Sequence, residues 1–156
     1  MAMDGLRPPN NSEELLWRLP RSRHKEAFMR HYDPDVQPDP SEWLALGELE
    51  RISLAEAHHK AARTKVPNLK AHACIHAIVE NQIAEGVESV VRAMTRLVQE
   101  GLSRHEALHA IGSVLADQLF EATHTKDKNF ADTAQARYDA AVEQLTAEEW
   151  RHKYEE

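Results

Sequence analysis

The chain has 156 residues, 42% hydrophobic and 29% charged, which is enough apolar content for one buried core and too much for wholesale disorder. Nineteen Lys and Arg against 26 Asp and Glu leave a formal net charge of -7, an acidic balance that argues against a protein built to hold nucleic acid phosphates. Five Gly and three residues each of Trp, Tyr and Phe argue against an aromatic-rich β-sandwich or barrel, and a single Cys74 excludes an internal disulfide.

Residues 1–11 are Pro- and Asn-rich and read as a flexible arm, leaving 12–156 as a single helical domain. A short helix over 12–19 stops at Pro20, and Ser22 caps a second over 22–32 with Phe28, Met29 and Tyr32 as its apolar content. Arg18, Arg21, Arg23, Lys25 and Arg30 make this region locally basic, which reads first as a solvated face. Three prolines within 33–40 predict an extended connector. Asp39 then caps a helix with Pro40 in its first turn and Trp43, Leu44, Leu46 and Leu49 as its apolar positions. The capping-box pattern Ser53-Leu54-Ala55-Glu56 predicts a separate helix from Ser53 to about Thr64.

The clearest periodicity lies in the centre. A helix over 69–85 ends at Gly86; a second over 87–100 carries Val87, Val90, Val91, Met94, Leu97 and Val98 at helical spacing and ends at Gly101. Ser103-Arg104-His105-Glu106 is a capping box that opens a third, 103–124, with Leu108, Ile111, Leu115 and Leu119 on one face. Phe130, Ala134, Tyr138, Ala141 and Leu145 mark a further helix, and Thr146 with Glu149 caps a last one bearing Trp150 and Tyr154. No strand alternation occurs. The expected fold is all-α, a compact bundle of about six to eight helices around the up-down-up trio 69–85, 87–100 and 103–124.

Ten His punctuate this pattern, and four of them form two pairs spaced four apart, His72/His76 and His105/His109. Each pair runs along the edge of an apolar sector, beside Ile75 in one helix and Leu108 in the other. The first and third helices of an up-down-up trio are parallel. At about 1.5 Å per residue the two pairs then lie about 6 and 12 Å along one helix and about 3 and 9 Å along the other. If those helices touch, four imidazoles converge where a metal can bond nitrogen at about 2.0–2.1 Å. Gly112 and Ala116 leave room beside them. Glu80 continues the first row as His72-x3-His76-x3-Glu80 and is the carboxylate expected to complete the ligand set. His105-Glu106-Ala107-Leu108-His109 satisfies H-E-x-x-H, in which the Glu can activate a metal-bound water, but Glu106 also completes the capping box, and the cap is its first expectation. His24, His31 and His152 read as surface residues. His58 falls on the side of Leu54 and Ala57, with His59 pointing elsewhere, and either can border the site.

The segments Trp43-Leu44-Ala45-Leu46, Asn68-Leu69-Lys70-Ala71-His72, Ile75-His76, Val79-Glu80-Asn81-Gln82-Ile83 and Gly101-Leu102-Ser103-Arg104-His105-Glu106-Ala107 through His109 to Leu115 resemble a small bacterial family of unknown function over roughly residues 39–120. The resemblance implies an all-helical cytoplasmic domain whose His/Glu cluster, with His59 as an added member, holds a metal; it brings no reaction.

The sequence therefore predicts a metal-binding helical protein with His72, His76, Glu80, His105 and His109 as ligands to one divalent transition metal, Zn first and Fe or Ni next. With one coordination position open it would act as a metal-dependent hydrolase with Glu106 as general base; with all positions filled the site is structural. The alternative is a non-enzymatic interaction or homodimerisation module, built on the 87–98 stripe or the Trp/Tyr tail, with core histidines. A start without a signal-peptide pattern and no run of about 18 apolar residues lead to the expectation of a cytoplasmic protein without a membrane partner.

Overall fold

The computed structural model describes residues 29–154, and these form seven helices and no strand. They are α1 (Pro40–Ala45), α2 (Glu48–Ala61), α3 (Leu69–Ala84), α4 (Glu88–Gln99), α5 (Arg104–His124), α6 (Phe130–Gln144) and α7 (Ala147–Tyr154). The arm 1–11 and the helix expected over 12–19 lie outside the described residues. Of the helix expected over 22–32, the described end, 29–32, is not helical. Pro34 disfavours the helical conformation at Asp33, and Asp33 instead closes a turn, its carbonyl accepting from Val36 N at 3.0 Å and its carboxylate from Asp35 N at 3.0 Å. Tyr32 drops from this turn into the core.

Asp39 caps α1 as expected, accepting from Glu42 N at 3.0 Å, with Pro40 in the first turn. The next boundary differs from the sequence expectation. The helix does not continue to Leu49, and no helix starts at Ser53, which lies inside α2. Glu50 decides this: its carboxylate accepts from Gly47 N at 2.7 Å and fixes the start of α2 at Glu48. Arg51 reaches back to the carbonyls of Leu44 and Leu46, both at 2.9 Å, and so satisfies the exposed end of α1.

Asn68 caps α3 by accepting from Ala71 N at 3.0 Å. The central trio is joined by two short turns in which Gly86 (φ 73) and Gly101 (φ 98) take the left-handed conformation a side chain resists. Val87 N returns to Gln82 O and Leu102 N to Leu97 O, closing both helix ends. α3 packs against α1, α2, α4 and α5, and α5 against α3, α4, α6 and α7. A Cβ on Gly112 of α5 would stand 2.7 Å from Cγ2 of Ile75 on α3, so only glycine permits the close approach of these two helices.

Two apolar cores result. One joins Val79 of α3 to Val90, Leu97, Leu108, Ile111 and Val142, and it takes up Tyr138 and Ala147. The other gathers Tyr32, Trp43, Leu46, Ala55, Ala73 and Ala77. Trp43 is completely buried and its indole N–H donates to Asn81 at 2.8 Å. Not every apolar position of the predicted stripes is buried: Leu49, Val91, Val98 and Leu119 remain exposed. No described helix is long and apolar enough to cross a membrane.

Candidate metal centre

The two cores meet along α3, and there the histidines converge. His72 and His76 project from α3 toward His105 and His109 of α5, with ring centroids 5.0 Å apart for His72/His109 and His76/His109 and 5.2 Å for His76/His105. The expected match in height between parallel α3 and α5 is therefore present. α2 adds His59, fully buried, with its ring 4.5 Å from both His72 and His76. One nitrogen each from His59, His72, His76 and His109 lies within 4.8 Å of every other, an arrangement able to hold a metal ion. His105 borders this group, 4.4 Å from His109 between ring centroids, and His58 lies beyond, 5.8 Å from His105. His31 and His152 are exposed, and His24 is outside the described residues.

Hydrogen bonds fix which nitrogens are free. His59 Nδ1 lies 2.7 Å from the Ala55 carbonyl, which can only accept, so Nδ1 carries the proton and Nε2 presents a lone pair 3.0 Å from His72 Nε2. Tyr32 donates to Glu80 Oε1 at 2.7 Å, and its oxygen is then left to accept from His76 Nδ1 at 3.3 Å. That leaves His76 Nε2 as a lone pair as well. Nε2 of His76, His105 and His109 are all buried without a hydrogen-bond partner. Buried polar atoms are rarely orphaned, and here three lie in one cluster.

Burial sets the charge state. It pushes the His72 pKa down to about 4 and that of His109 to about 3, with neighbouring imidazoles adding to the effect. His76 is driven lower still by burial and its four His neighbours, and burial also lowers His59 and His105. All five are neutral near pH 7, the form that binds metal.

The two carboxylates singled out in the sequence are engaged elsewhere. Glu80 is buried, and both its oxygens accept from Arg104, at 2.8 Å and 2.7 Å, in a forked ion pair. The reason is rotational: each four-residue step drifts about 40°, so Glu80 sits about 80° round the helix from His72 and turns toward the start of α5. Glu106 accepts from Ser103 N at 2.7 Å while Ser103 Oγ accepts from Glu106 N at 3.1 Å, the complete capping box. Glu106→Gln should therefore change stability by less than about 1 kcal/mol in urea unfolding and leave metal content unaltered. A loss of bound metal in that variant would show that Glu106 reaches the cluster.

Tyr32 and Arg104 were not legible as part of the site. Tyr32 stands 44 positions from His76 and 48 from Glu80. Arg104 did carry a signal: a cation in the first turn opposes the helix dipole and calls for a compensating partner, which is Glu80.

No family model, curated protein or solved structure matches the chain. The resemblance to a small bacterial family thus rests on the quoted residues alone, and the site is interpreted from its own chemistry.

Proposed function

We propose that this chain is a metal-binding protein that holds one divalent transition metal among His59, His72, His76 and His109, with His105 as an adjoining imidazole. The observation that carries the reading is the convergence of buried imidazoles: Nε2 of His76 and His109 has no hydrogen-bond partner, Nε2 of His59 meets only Nε2 of His72, and the opposite nitrogens of His59 and His76 are already committed to protein oxygens. An all-imidazole donor set suits Zn, Fe, Ni or Cu, and Zn comes first because four such donors match its preferred coordination. Glu80 acts behind the ligands: through Tyr32 it orients the His76 ring, the part that outer-shell carboxylates play at metal sites.

Hydrolysis is not included in the proposal. A general base must reach the metal-side water, and Glu106 and Glu80 are held by Ser103 and Arg104 respectively. For the rival reading, a dimerisation module, Val90, Met94 and Leu97 of the 87–98 stripe are buried in the chain's own core, while Val91 and Val98 of that stripe and Tyr154 of the tail are exposed. A free Cys74 fits a reducing, cytoplasmic setting.

The purified protein should contain one transition metal ion per chain by mass spectrometry, and its thermal midpoint should fall when a chelator strips that ion. A metal-free chain whose melting is unmoved by added Zn, Fe, Ni or Cu would overturn the proposal.

A further inference from the structure

A cleft of about 380 Å³ opens beside the cluster, and three of the four converging histidines, His72, His76 and His109, line its inner end. Ile75, Leu108, Gly112 and Ala116 form one wall, and Trp150 and Tyr154 of α7 the other. The Trp150 and Tyr154 rings lie 5.5 Å apart at 34°, and Tyr154 is half exposed, an aromatic surface left facing an opening. The volume falls near the lower end of the range for small-molecule sites, about 300–1,000 Å³.

The lining has no carboxylate, ammonium or guanidinium. Ser113, its one hydroxyl besides Tyr154, is turned to its own helix and donates to Ala110 O at 2.7 Å. The buried unsatisfied polar atoms among the residues lining the cleft are His76 Nε2 and His109 Nε2. Neutral imidazoles do not offset the charge of a divalent ion, and Glu80 is already neutralised by Arg104. An anionic group arriving at that end would be the first negative charge the ion meets, entering as a fifth ligand beside the four imidazoles.

We propose that this cleft binds a small aromatic carboxylate, with its acid group at the face of His72, His76 and His109 and its ring between Ala116 and the Trp150/Tyr154 wall. The proposal rests on the metal reading above. An apolar ring without an acid leaves the charge unmet, and an acid without a ring leaves the aromatic wall in water; the two features together define the ligand class.

Full-length protein loaded with Co(II), whose visible absorption responds to its ligands, is titrated with phenylacetate, acetate and benzyl alcohol. Phenylacetate should shift the cobalt spectrum with an apparent Kd at least about tenfold below that of acetate, the least expected from burying a ring, and benzyl alcohol should not shift it. Ala116→Phe, which fills the mouth of the cleft, should bring phenylacetate to the level of acetate with cobalt content unchanged. Tyr154→Ala, an exposed wall position that leaves the core intact, should weaken phenylacetate alone and serves if the first variant misfolds. Full cobalt uptake with equal response to phenylacetate and acetate, or with both variants unaltered, overturns the cleft and leaves the metal reading standing. No cobalt or zinc uptake by the native chain overturns both.

Discussion

Alanine at His76 should abolish tight metal binding, lowering affinity by more than about a hundredfold, the upper end of what loss of a supporting residue costs at such sites. His76 is the hub of the cluster: 2% exposed, its ring lies within 5.2 Å of those of His59, His72, His105 and His109. Its Nδ1 is spoken for by Tyr32, which leaves Nε2 turned to the cluster. His59→Ala and His109→Ala should do the same, whereas His152→Ala, at an exposed position, and His24→Ala should retain full metal. Competition titration of zinc against a chromophoric chelator reads the difference. Equal affinities across the two sets would mean that the cluster is a packed core and not a binding site.

Arg104→Ala should destabilise the fold by about 3–5 kcal/mol, the usual cost of stranding a buried charge. Glu80 has 1% of its side chain exposed and accepts from Arg104 through both oxygens, so removal of the guanidinium leaves Tyr32 as its only described donor. Arg104 also donates to the Pro34 carbonyl at 2.7 Å, which ties the turn before α1 to the start of α5. Replacing Glu80 and Arg104 together by leucine should recover much of the loss, because the pair then leaves no uncompensated charge. Urea unfolding of Glu80→Leu, Arg104→Leu and the double variant measures the coupling. A single-variant cost below about 1 kcal/mol would place the ion pair in effective contact with solvent.

The central trio was readable because each signal was local and redundant. Gly86 and Gly101 mark the turns, Ser103 and Glu106 mark the start of α5, and the apolar periodicity agrees with both. The matching heights of His72 and His76 with His109 follow from helix length and direction, and the contact of α3 with α5 brings them together. His59 was obscured by a misplaced boundary. With a helix start at Ser53, the apolar side runs through Leu54, Ala57 and His58. With α2 starting at Glu48, the inward row is Ile52, Ala55 and His59, which packs against α3. Spacing of four suggests a straight column that carries Glu80 to the metal, but a helix turns that column by about 40° at each step. Tyr32 was beyond reach: its position depends on a turn at Asp33-Pro34 and on a contact across 48 residues, and neither leaves a periodic trace.

The placement of the cluster between the two apolar cores would give a bound ion a mechanical role. His59 stands on the α2 side, with the core that holds Trp43 and Ala55, and His109 on the α5 side, with the core that holds Leu108 and Ile111. An ion shared by these histidines exists only while both layers are docked, so its binding energy is added to the docking of the α1–α2 layer and withdrawn when the ion leaves. The metal would then set how often that layer opens, with amide exchange in α2 tracking metal supply and that in α4 and α6 tracking global unfolding.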